Sequence, residues 1–60
     1  MSDTAIQKKI LETFHRLAIA HGLKKVSVDM LARECGISKK TIYRHFRDKK
    51  EILLSLIHIS

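Results

Sequence analysis

Six cations crowd into twelve positions of this 60-residue chain: Lys39, Lys40, Arg44, Arg47, Lys49 and Lys50. Their ammonium and guanidinium groups are donors for oxyanions, and a phenol, Tyr43, and an imidazole, His45, are interleaved among them. A clustered basic stripe of this kind is the electrostatic footprint expected for a polyanion partner. The cluster is also a local excess. Residues 1–36 hold six basic and four acidic side chains, a net of +2, and residues 37–60 hold six and two, a net of +4, which together make the +6 of the chain. A solvated lysine-rich face has the same composition, so the elements that carry these residues must decide between the two.

Other chemistries find little support. Cys35 is the single cysteine, so no disulfide forms within the chain, and it reads as a small apolar core residue in a reducing compartment. His15, His21, His45 and His58 lack the spacing of metal ligands, and one thiol cannot complete a zinc site. There is no paired nucleophile and base and no glycine-rich phosphate loop, so no enzyme, cofactor or metal is expected. No apolar run approaches the ~20 residues that span a bilayer, and the amino-terminal end lacks an apolar signal core, which predicts a soluble, cytoplasmic chain. A chain this short makes one small domain that buries only about 60% of its unfolded surface.

The elements that must position the cations are helices. Proline is absent, and glycine occurs only as Gly22 and Gly36. Thr4 and Gln7 read as a capping box opening a first helix, with Ile6, Ile10, Phe14, Leu17 and Ala18 as its apolar stripe and Gly22 as its left-handed stop. Ser27 reads as the N-cap of a second helix, with Asp29 in the first turn beside the positive end of the dipole, and Val28, Leu31, Ala32 and Cys35 facing inward. Ser38 caps a third helix that runs to about Phe46 and buries Ile42 and Phe46. Asp48 and Glu51 form a further capping box and open a fourth helix through Ile52, Leu53, Leu56 and Ile57.

Two short helices joined by Gly36-Ile37-Ser38 are the pattern of a helix-turn-helix. The first helix of the pair needs a small residue where the second crosses it, and Ala32 is that residue. Leu31, Cys35, Ile37 and Ile42 then face inward to hold the crossing. On the third helix Lys40, Tyr43, Arg44 and Arg47 stand at i, i+3, i+4 and i+7, one side of the helix, opposite Ile42 and Phe46. Helices of this kind enter the major groove with their first residues at base edges, a position held here by Lys39, Lys40 and Thr41. The lysines suit guanine acceptors, and the threonine suits a thymine methyl or a phosphate. Lys8 and Lys9 read as solvated surface; Lys24 and Lys25 do too, although their place just before Ser27 brings them toward a DNA backbone. The predicted fold class is all-α, a three-helix helix-turn-helix DNA-binding domain plus the start of a fourth helix. Residues 1–53 make up the domain, and the motif spans about 28–47.

From Ser27 to Leu53 the sequence, SVDMLARECGISKKTIYRHFRDKKEIL, resembles the DNA-binding domain of the TetR family of bacterial regulators. The features shared with that family are the cap Ser27, the small Ala32, the turn Gly36-Ile37-Ser38, the run Tyr43-Arg44-His45-Phe46 and Lys49. The resemblance implies that Tyr43 and Lys49 bind phosphate, with Ser27 and His45 as additional backbone contacts; for His45, packing is the rival role. It further implies that Lys39, Lys40, Thr41 and Arg44 read or approach bases. Lys40 departs from the pattern, because many relatives carry glycine or another small residue there, and the operator cannot be carried over by analogy. The resemblance also implies a larger carboxy-terminal helical domain that dimerises and binds a small ligand, so a homodimer is expected only with that domain, and repression is the family default.

A homeodomain is disfavoured because the chain has no tryptophan and no Asn-Arg signature in the third helix. A cationic membrane-surface peptide would be one long amphipathic helix, whereas capping residues divide this chain into four. The remaining alternative is a standalone small DNA-binding module of recombinase or phage-regulator type. The last seven residues, LSLIHIS, resemble the translation of a sequencing-library adapter. Residues 54–60 are therefore expected to be either the start of the fourth helix or adapter translation.

Overall fold

The computed structural model describes residues 3–59 and the side chains of residues 4–57. Within them the chain forms α1 (Asp3–His21), a 3-10 turn (Leu23–Lys25), α2 (Val28–Cys35), α3 (Lys39–His45) and α4 (Lys49–Ile59). The all-α class and the four helices agree with the sequence reading. The heptapeptide that starts at Leu54 lies in α4 as far as Ile59, while Ser60 and the side chain of His58 fall outside the described residues.

The core draws on every segment. Ile10 and Phe14 of α1, Val26 of the link, Leu31 of α2, Ile42 of α3 and Ile52 of α4 are all essentially inaccessible to water. Leu11, Leu17, Ala32, Cys35 and Phe46 complete the buried set, and Ile6, Ala18, Val28, Met30, Ile37, Leu53 and Leu56 pack around it. The hub is α1, which packs against α2, the 3-10 turn and α4, while α3 rests chiefly on α2. A 60-residue chain without a disulfide depends on this single cluster for its stability. Among the described residues no buried side-chain nitrogen or oxygen lacks a hydrogen-bond partner, and the one buried polar residue is Thr13.

Local chemistry explains where the helices start and stop. The Ser27 hydroxyl accepts from the Met30 amide at 3.2 Å and satisfies a first-turn donor of α2. At the other end Gly36 takes the left-handed conformation (φ 72°, ψ 28°). Its amide donates to the Arg33 carbonyl and the Ile37 amide to the Ala32 carbonyl, at 3.3 and 3.1 Å. These two bonds are the Schellman closure, which satisfies carbonyls the helix would otherwise leave open. Ser38 repeats the capping chemistry for α3, accepting from the Thr41 amide at 3.2 Å.

Four local expectations need correction. Thr4 is not an N-cap: α1 is already helical at Asp3, and Gln7 reaches across the fold instead of back to the helix start. Gly22 has a positive φ of 92° but a ψ of 142°, so it leaves α1 in a positive-φ conformation open to glycine but outside the left-handed helical region. Its carbonyl then accepts from Lys25 at 3.1 Å and starts the 3-10 turn. The capping box at α4 is displaced by one residue: the Glu51 amide donates to Asp48 at 3.0 Å as expected, but the Glu51 carboxylate accepts from the Arg47 amide at 3.3 Å. Finally, α3 ends at His45, and Phe46 is extended (φ −135°, ψ 129°), which takes Arg47 off the helical stripe it was expected to share with Lys40, Tyr43 and Arg44.

A Cβ at Gly36 would meet nothing within 4 Å, so the only obstacle to a side chain there is the backbone conformation. Gly36→Ala is expected to cost about 1–2 kcal/mol, the penalty of a left-handed L-residue. Gly36→Asn is expected to cost less, since asparagine visits that region more readily. Thermal unfolding followed by circular dichroism separates the two; equal loss for both would mean that the turn tolerates no side chain for some other reason.

Candidate nucleic-acid interface

A seven-residue helix cannot hold itself together in water, so the direction of α3 is set by its packing. Ile42 is fully buried and Phe46, the C-cap, is nearly so, which fixes the roll of the helix. Ala32 is buried on α2, with the small side chain expected where α3 crosses. With Ile42 inward, Lys39, Lys40, Tyr43 and Arg44 are exposed. Tyr43 keeps 50% of its surface open to water, so its ring and hydroxyl are available to a partner. Neither Lys40 nor Arg44 has an acidic partner among the described residues, so both cations face outward uncompensated.

The other residues singled out from the sequence are held by neighbours. Lys39 Nζ lies 2.7 Å from Asp29 Oδ1, an ion pair between the first residue of α3 and the first turn of α2. The hydrogen bond to Asp29, and then its charge, hold the Lys39 ammonium above the ordinary lysine value of 10.5. Lys39 therefore stays charged throughout the neutral range, and the pairing fades only as pH rises through that raised value. Thr41 is half-buried, and its hydroxyl lies 3.0 Å from that of Ser38. His45 is half-buried with Nδ1 3.4 Å from Gln7 Nε2, a long contact that ties the end of α3 to α1 across 38 residues. If the Gln7 amide donates, the proton of a neutral His45 ring resides on Nε2. Ser27 is exposed with its hydroxyl engaged as the α2 cap, and Lys49 is half-buried at the first residue of α4. Arg47 lies 3.9 Å from Glu51 with its side chain 85% exposed, off the α3 face.

Two participants were not singled out as site residues: Asp29, read only as a dipole partner of α2, and Gln7, read as part of a cap. Both act across helices, where residue spacing carries no signal. A further basic group, Lys24, Lys49 and Lys50, lines a shallow groove between the 3-10 turn and α4 together with Leu23 and Leu53.

The geometry is that of a helix-turn-helix: a rigidly crossed pair, a sharp glycine turn, and a short second helix that turns a cationic, aromatic face to solvent. The family model described as bacterial regulatory proteins of the TetR family matches residues 10–56. The chain belongs to that family of bacterial regulatory proteins. It is 35% identical over 51 residues to the HTH-type transcriptional regulator SAB2452 of Staphylococcus aureus (strain bovine RF122 / ET3-1), a match covering 85% of this chain and 28% of that protein. SAR2658 (strain MRSA252) and MW2498 (strain MW2), HTH-type transcriptional regulators of the same species, match to the same extent. The chain thus spans 28% of the length of these curated relatives. No solved structure matches it.

The cap of α3 is the local feature on which the exposed face most directly rests. Ser38→Ala is expected to lower stability by about 1 kcal/mol, and Ser38→Asp to recover most of that loss through an equally good cap. Denaturant unfolding of the three proteins checks this; if alanine is as stable as serine, the hydroxyl bonds of Ser38 contribute nothing to the helix.

Proposed function

We propose that this chain reads double-stranded DNA in the major groove through α3, as the amino-terminal head of a ligand-responsive repressor that works as a homodimer. The observation that carries this reading is the exposed trio Lys40, Tyr43 and Arg44, set on one face of a helix whose opposite face is locked by Ile42. Lys40 and Arg44 read base edges, Arg44 with the forked donors that match guanine O6 and N7. Lys39 and Thr41 approach bases from the start of the helix. Tyr43 and Lys49 bind phosphate, and Ser27 and His45 add backbone contacts that set the register of the domain on the duplex.

The greater length of the relatives supports a sensing and dimerising domain beyond this head. One short helix and a few phosphate contacts bind weakly and with strong salt dependence, so useful operator affinity requires two heads on half-sites about one helical turn apart or a multiple of it. The alternative, a standalone module of recombinase or phage-regulator type, predicts tight binding by the isolated chain.

The test is selection of a randomised duplex pool by the chain, followed by anisotropy titrations on the selected and on mixed-sequence duplexes. Lys49→Ala is expected to weaken binding to all duplexes about equally and to flatten the salt slope by about 0.9, one phosphate neutralised fewer. Tyr43→Phe weakens all duplexes with the slope unchanged, because a neutral phenol releases no counterion. Arg44→Ala or Lys40→Ala costs about 1–3 kcal/mol of discrimination at one base pair and relaxes preference there. If none of these variants changes DNA affinity, the DNA-binding face lies elsewhere.

A further inference from the structure

We propose that Asp29 is a specificity-determining residue, which pins the Lys39 ammonium at the mouth of the helix pair so that it serves base edges and not phosphates. The inference rests on the reading that α3 enters the groove. Among the cations of α3, Lys39 alone has an acidic partner among the described residues, and at 2.7 Å the contact is a full hydrogen bond between two side chains that are each more than half exposed. Sequence separation does not favour it: the partners lie on different helices, ten positions apart, and meet because the glycine turn brings the two helix starts together. No acidic side chain lies in the first turn of α3 itself, so the counter-charge of Lys39 comes from α2.

A lysine ammonium carries three donors, and one of them is directed at Asp29. The other two remain free for acceptors within reach of a side chain held at that point. Guanine presents O6 and N7 together in the major groove and can be served without breaking the ion pair. A phosphate oxygen outside that reach can be served only by leaving Asp29, and the bare carboxylate would then stand beside the duplex with its charge uncompensated. The pair is therefore close to neutral toward non-cognate DNA, while Lys40 and Arg44 supply the unpaired charge of the face. Removing Asp29 should convert Lys39 from a directed base contact into an ordinary mobile phosphate contact.

The experiment is a salt titration of the chain on a mixed-sequence duplex two helical turns long, for the parent, Asp29→Asn, Lys39→Gln, the double variant, and Arg44→Ala as a control for the DNA face. Circular dichroism verifies that each is folded. Asp29→Asn is expected to bind about three- to ten-fold tighter at low salt, with a slope steeper by about 0.9 as Lys39 takes up a phosphate. Lys39→Gln leaves the slope at the parent value, and adding Asp29→Asn to it produces no steepening. An unchanged slope in Asp29→Asn overturns the proposal. So does steepening that persists in the Lys39→Gln background, which would mean that Asp29 acts by bulk repulsion. If Arg44→Ala also fails to weaken binding, the placement of the DNA face falls with it; if Arg44→Ala weakens binding while Asp29→Asn keeps the parent slope, only the role of Asp29 falls.

Discussion

The left-handed backbone at Gly36 is the constraint on which the rest of the molecule depends. It ends α2 with two closing hydrogen bonds, to Arg33 and Ala32, and leaves only Ile37 and the cap Ser38 before α3 begins. With so short a link the crossing of the two helices is determined by what lies between them, the buried Leu31, Ala32, Cys35 and Ile42. The face that α3 turns outward is thus a consequence of a turn and a core, and not of the helix itself. A more flexible joint would leave the same cations on a segment with no stable orientation, and the electrostatic attraction to DNA would carry no sequence information.

The packing also sorts cations that are equivalent by composition. Lys40 and Arg44 project without partners, Lys39 is held by Asp29, and Arg47 has moved beyond the helix toward Glu51. Exposed ion pairs of this sort add little to stability, because solvent screens them and ordering long side chains costs entropy. Their effect is on direction: an ammonium with an anchor samples fewer positions than one without. In a reader of DNA, where backbone contacts bind any sequence and base contacts discriminate, that restriction has functional weight. On the proposed reading, specificity in this domain depends on an acidic residue as well as on basic ones.

The economy of a small domain explains why so many roles overlap. Each of the four α-helices contributes at least one fully buried side chain, and no disulfide is available to compensate for a lost one. Ser27 caps α2 and is itself a proposed phosphate contact, and Ser38 caps the helix that carries the proposed base readers. His45 ties α3 to Gln7 of α1 while lying beside the exposed aromatic face. Residues that stabilise the domain and residues proposed to meet DNA are therefore neighbours or the same residue, and a rigid face follows directly from a well-packed core.

Much of this was legible in the residues alone because helix starts, stops and apolar stripes are local events. A serine hydroxyl reaches an amide three residues on, so Ser27 and Ser38 announced their helices. A glycine at the end of a stripe announced the turn at Gly36, and Ile10, Phe14, Leu31, Ile42 and Ile52 declared themselves core by their spacing. The errors arose where two local signals competed or where the stripe was followed too far. Thr4 had capping chemistry but lay inside a helix, and Arg47 was aligned with Lys40 by counting on past the end of α3. Val26 is buried though it lies in the link, outside any apolar stripe, and Thr13 is buried at helical spacing from Ile10 and Leu17 although its side chain is polar. The Asp29–Lys39 and Gln7–His45 contacts span 10 and 38 residues and depend on helix crossing. Which segments are helical and which faces are apolar follows from bonds within a few residues and is written in the residue order; which charged and polar groups meet follows from the angles at which the packed helices cross and emerges only on folding.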